Sequence, residues 1–123
     1  MLANPIRKVD AVEIPSQDPE RARRFYVETL ELRPDEQARH EFWVGDTCFE
    51  IFEPQEMGMT FQPVKNGLVL LHVDDVPAAR GELEAKGVEF VGETFDTGVC
   101  HMAFFRDPDG NELVLHKRYA QSG

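Results

Sequence analysis

Cysteine is scarce in this sequence. Cys48 and Cys100 are the only two in 123 residues. They stand too far apart for a CxxC pair, which excludes a zinc knuckle or a thioredoxin-type redox motif. Both are expected as thiols in a reducing compartment. Long apolar runs are missing too: none approaches the ~20 residues that a helix needs to cross a bilayer. The opening stretch MLANPIRKVD has no signal-peptide core. The expectation is a cytoplasmic protein with no membrane partner. Positive charge is outweighed, with 13 Lys and Arg against 23 Asp and Glu, a net charge of −10. Such a field repels a phosphate backbone. The one basic cluster, Arg21, Arg23 and Arg24, reads as a solvated helix face. No nucleic-acid partner is expected.

What is present is an ordinary globular balance, 41% hydrophobic and 29% charged. The length suits one domain, residues 1–123. Residues 8–15 read as a strand. Asp18-Pro19-Glu20 then opens a helix, with a capping carboxylate, a proline in the first turn and an acid at the positive end of the dipole. Ala22, Phe25, Tyr26 and Leu30 form its apolar stripe. A weak strand is expected in 32–38. Residues 41–53 read as a hairpin turning at Gly45-Asp46. From Pro54 to Gly67 there is no sustained periodicity, so this stretch reads as a linker or lid.

The order then repeats. Residues 68–74 read as a strand, Asp75 as a cap, and Val76, Ala79 and Leu83 as a helical stripe ended by Gly87. Strands follow at about 88–95, 99–106 and 111–117, the last two joined by the turn sequence Asp107-Pro108-Asp109-Gly110. Asp18 and Asp75 stand 57 positions apart, as do Ala11 and Leu68. The chain therefore reads as two related βαβββ modules, about 8–53 and 68–117, with the linker 54–67 between them.

Two local patterns carry a family resemblance. Asp18-Pro19-Glu20-Arg21-Ala22-Arg23-Arg24-Phe25-Tyr26 resembles the first helix of the vicinal-oxygen-chelate superfamily, the glyoxalases, bleomycin-resistance proteins and extradiol dioxygenases. Ala103-Phe104-Phe105-Arg106-Asp107-Pro108-Asp109-Gly110-Asn111 resembles its final hairpin. The resemblance implies an α+β fold in which paired βαβββ modules form a curved, mainly antiparallel sheet around an open cleft. It also implies pairing within one chain or between two, with a homodimer expected. Members often hold a divalent metal on four strand positions; others bind drugs without one. Those four positions fall on Ala11, Glu50, Leu68 and Val114. Only Glu50 offers a donor of the kind such a site needs.

Strand alternation supplies an independent reading. One parity is apolar: Val12 and Ile14; Phe49 and Ile51; Val69, Leu71 and Val73; Leu113 and Leu115. It should pack beneath the helices. The other parity carries Glu13, Cys48, Glu50, Phe52, His72 and His116 and should line the cleft. A four-residue turn at 107–110 would pair Arg106 with Asn111 and set His101 opposite His116, bringing His101, Ala103 and Phe105 to the cleft as well.

The expected ligand-binding cleft is therefore Glu13, Glu50, Phe52, His72, His101, Phe105 and His116. The first expectation is a small-molecule-binding protein whose usual metal site is mostly lost. The alternative is a lyase, isomerase or dioxygenase-type enzyme. It would use a displaced divalent metal held by Glu50, His72, His101 and His116, or metal-free acid–base chemistry between a histidine and Glu13 or Glu50.

Overall fold

The computed structural model describes residues 1–121. Among these residues the first module comprises β1 (Val12–Pro15), α1 (Pro19–Arg23), β2 (Arg33–Pro34), β3 (Glu41–Val44) and β4 (Thr47–Phe52). The second comprises β5 (Leu70–His72), α2 (Val76–Ala85), β6 (Glu89–Asp96), β7 (Cys100–Arg106) and β8 (Glu112–Arg118). Each module is one four-stranded sheet, in the order β1-β4-β3-β2 and β5-β8-β7-β6. In each sheet the first strand runs parallel to the last, and the remaining pairs are antiparallel. The βαβββ repeat is thus present in both halves.

The helices start where side-chain caps permit. Asp18 accepts from the Arg21 amide at 3.1 Å, and Asp75 accepts from the Ala78 amide at 3.0 Å. Each thereby satisfies one of the orphan donors of a first turn. α1 does not stay α-helical. From Arg24 to Thr29 it widens into a π-helical turn, closed by the Leu30 amide on the Phe25 carbonyl at 2.9 Å. α2 stops at Ala85, and Gly87 just beyond its Lys86 cap has a φ of +89° that suits a residue without Cβ. In the linker, Pro54–Met57 forms a short 3-10 turn that lack of periodicity did not reveal.

The apolar parity packs as expected. Ile14, Phe49, Ile51, Leu113 and Leu115 are buried with Ala22, Tyr26 and Val76 in one cluster reaching across both modules. Tyr26 stacks on Phe42 at 4.9 Å, and Phe42 on Phe49 at 5.4 Å. Such pairs add about 0.5–1.5 kcal/mol each beyond their buried area.

The β7–β8 register corrects one expectation. Arg106 pairs with Glu112 rather than Asn111, so Met102 opposes His116 and His101 opposes Lys117. The turn holds five residues, Asp107 to Asn111, closed by the Asp107 amide on the Asn111 carbonyl at 2.9 Å. One extra residue moves one strand's whole side-chain set to the opposite face. His101, Ala103 and Phe105 therefore share the helix-side face, opposite to that of His116. Ala103 and Phe105 are fully buried.

Candidate functional site

The turn that overturns the register also fixes the two modules to each other. The Asp107 carboxylate accepts from the amides of Asp109 and Asn111 and from Asn111 Nδ2, each at 2.9 Å. It also accepts from the Tyr26 hydroxyl at 2.6 Å. Burial pushes the Asp107 carboxyl above its ordinary range, while those four donors oppose the rise. Asp109 accepts from Ser16 Oγ at 2.7 Å, the Gln17 amide at 2.8 Å and Arg21 Nη2 at 3.1 Å. Asn111 Nδ2 donates to the Pro15 carbonyl at 2.8 Å, and Asn111 Oδ1 accepts from the Val64 amide at 2.8 Å. The β1–α1 corner, the linker and the last hairpin thus converge on three buried polar residues. The whole turn is spent on this contact, which is why Asn111 was not free to extend the strand.

On the first sheet, the face turned away from the helices carries a row of carboxylates. Glu13 neighbours Glu50 across the β1/β4 pair, and Glu50 neighbours Glu41 across the β3/β4 pair. Phe52 and Pro15 are the next pair on that face in one direction, Cys48 and Trp43 in the other. Trp43 Nε1 donates to Asp35 at 2.9 Å, and the Arg33 guanidinium lies 5.7 Å from the indole centroid. Cys48 leans on Glu41 at 3.3 Å; burial and that carboxylate push its thiol up to about 11. Sequence reasoning missed Glu41, although it shares the parity of Trp43 in a predicted hairpin arm and could have been found by pairing that arm with Glu50.

On the second sheet, the corresponding face carries His72 beside His116 across the β5/β8 pair, then Met102 and Phe95. Leu70, Val114, Phe104 and Val91 form the adjacent row. His72 Nε2 lies 3.1 Å from Asp74 Oδ1. His101 is elsewhere: its Nε2 lies 3.5 Å from Asp96 and its ring 4.8 Å from that of Tyr119. His40 is bonded to Glu20 at 2.8 Å.

Val114 is only 1% exposed although it lies on the helix-free face. The linker explains this. Gly67, at φ +88°, passes so close that a Cβ built on it would meet Val114 Cγ2 at 2.9 Å. Among the described residues no three His, Cys, Asp or Glu side chains converge on a point that could hold a metal ion. No helix among them is long and apolar enough to cross a membrane.

Two modules of this topology, joined through the last hairpin, define a class that comparison identifies. The model of the Glyoxalase/Bleomycin resistance protein/Dioxygenase superfamily matches residues 8–115, and the chain belongs to that superfamily. Its fold is similar to that of a superfamily member from Sphaerobacter thermophilus (TM-score 0.75, 23% identity, 90% of this chain and 97% of that one). It is similar to TnmS3, an antibiotic binding protein from Streptomyces sp. CB03234 (TM-score 0.72, 28% identity, 96% and 99%). It also shares its fold with a lactoylglutathione lyase from Agrobacterium tumefaciens (TM-score 0.72, 19% identity, 91% and 94%). Among curated proteins none matches the chain.

Proposed function

We propose that this protein binds a small molecule in the cleft of the glyoxalase/bleomycin-resistance type, and that the superfamily's usual metal centre has been lost. The carrying observation is the state of position 114. Of the four positions that the family resemblance assigns to a metal, only Glu50 is a donor, and Val114 is sealed beneath Gly67. Ala11, Leu68 and Val114 offer no lone pair, so the residues do not fit a divalent ion there.

Carboxylates flanked by aromatic rings remain: Glu13, Glu41 and Glu50 between Phe52 and Trp43. This favours an organic cation with a flat apolar body, because ring faces and carboxylates both attract positive charge. The antibiotic-binding relative supports a binding role. On the second sheet Leu70 and Phe95 are 52% and 59% exposed on the same face as His72 and His116. A second copy of the chain closes the cleft over them as a homodimer. Both cysteines are free, in keeping with the cytoplasm.

A thermal-shift screen of organic cations and oxygenated aromatics tests this. A true ligand stabilises the fold by about 2.7 kcal/mol at a hundredfold excess over Kd. Glu50→Gln should weaken that ligand while leaving the unliganded melting temperature within a few degrees. A broad screen without a concentration-dependent shift would sink the proposal.

A second reading is favoured by His72 lying beside His116 on one face. Two adjacent imidazoles could move a proton or begin a displaced metal site. Calorimetric titration with zinc, nickel, iron and manganese separates the readings. Stoichiometric binding lost in His72→Ala and His116→Ala would favour this second reading over the first.

A further inference from the structure

One cavity is lined mainly from the helix side of the sheets, although His72 of the cleft face also lines it. It lies on the helix side of the seam between the modules and holds about 740 Å³. Leu71, Phe105 and Leu115 of the second sheet form its floor, and Leu30, Val44 and Leu83 its walls. Four of these, Leu30, Val44, Leu71 and Leu83, are only partly buried, so the core leaves apolar surface uncovered at this seam. The volume falls in the range of small-molecule pockets, which are lined mainly by apolar side chains with a few polar groups placed to orient the ligand.

The polar groups at the rim are unequal. Lys86 Nζ donates to Glu31 at 2.6 Å and to the Thr29 carbonyl at 3.2 Å. That cation is therefore already neutralised by Glu31. Glu82, also at the rim, is exposed and forms no ion pair among the described residues. The rim keeps one uncompensated negative charge, in a chain whose net charge is −10.

We infer that this seam is a second binding site, taking an amphiphilic organic amine whose apolar ring system lies on Leu71, Leu83, Phe105 and Leu115 and whose ammonium end meets Glu82. The apolar body supplies the affinity and the rim selects the charge. An anionic amphiphile of the same shape is disfavoured, because Lys86 has no positive charge to spare and Glu82 repels it. The site is separate from the carboxylate row Glu13, Glu50 and Glu41, which lies on the opposite face of the first sheet.

The test uses the full chain labelled with nitrogen-15 and three probes of one shape: 1-naphthylmethylamine, 1-naphthylmethanol and 1-naphthoate. Saturable amide shifts are expected in residues 71–73 and 79–86, with the amine binding tightest and the carboxylate weakest. Glu82→Gln should weaken the amine about two- to fivefold, the range of an exposed ion pair, and leave the alcohol unchanged. Leu83→Trp should abolish binding of all three by filling the seam. If that variant misfolds, the Glu82→Gln comparison still decides, since Glu82 is exposed. Equal affinities for the three probes, or no binding, overturn the inference. Shifts confined to residues 13, 41, 50 and 52 overturn it while leaving the cleft proposal standing. Seam shifts that follow protein dilution without any probe overturn it in favour of a second copy of the chain.

Discussion

The Tyr26 hydroxyl donates to the Asp107 carboxylate at 2.6 Å, joining the first helix of one module to the last turn of the other. Both groups are buried, and the bond spans 81 residues of sequence. Removing the hydroxyl leaves a buried charge short of one donor, which costs about 1–3 kcal/mol. Tyr26→Phe should lose that much in urea denaturation. Asp107→Asn should lose at least as much, because an amide in place of the carboxylate turns a donor toward donors. The double variant should fall short of the sum, since both changes break one bond. Strict additivity would show that the modules are not coupled here.

Glu20 sits between the Arg39 guanidinium and the His40 ring. Its bonds to Arg39 and His40 hold the carboxyl at about 2, against an ordinary value of 4.5. The folded state therefore favours the charged form. Stability from Glu20 is complete above about pH 5 and is lost as pH falls toward 2. Denaturation of the native chain and Glu20→Gln from pH 7 to pH 2 should show a difference that is constant at the upper end and shrinks in acid. A difference that grows on acidification would reverse the sign and refute the assignment.

The Cys48 thiol, pushed up to about 11, should be sluggish. At pH 8 only about one thiol in a thousand is ionised at that value. In a Cys100→Ser background, an aromatic disulfide reagent should modify Cys48 at least about tenfold more slowly than a free thiol such as glutathione. Adding denaturant should restore the ordinary rate. Rapid reaction of the folded protein would mark Cys48 as a reactive group of the cleft.

Position 114 tests directly the proposal that the usual metal centre has been lost. Val114→Glu places a carboxylate beneath Gly67 with no cation beside it and should cost about 3–5 kcal/mol. Gly67→Ala should cost about 1–3 kcal/mol, through the close contact with Val114 and an unfavourable φ. Equilibrium denaturation at pH 7 measures both. Full stability of Val114→Glu would mean that the linker lifts away and the position reaches the cleft.

Much of the fold was legible because it rests on local rules. The Asp18 and Asp75 caps, the alternation of Val12, Ile14, Phe49 and Ile51, and the Gly45-Asp46 hairpin each depend on residues a few positions apart. The repeat was legible because two modules of one shape need the same signals twice. The cleft was only partly legible. Glu13, Glu50, Phe52, His72 and His116 lie on the helix-free faces, but Phe105 is in the core and His101 is turned to the other side. A single miscounted turn residue accounts for both. The π-helical widening after Arg23 had no readable signal either, since its sequence also suits an α-helix.

The sequence by itself determined the two βαβββ modules, their apolar faces and the absence of donors at Ala11, Leu68 and Val114. These follow from side-chain chemistry and short-range periodicity, which the chain carries with it. Tertiary structure alone decided the five-residue turn, because Asp107, Asp109 and Asn111 find their partners in Tyr26, Ser16 and Pro15 more than 80 residues away. It also decided that Val114 is closed over by Gly67 and that a cavity opens at the seam between the modules. Each depends on how surfaces distant in the chain meet, and no local pattern encodes that contact.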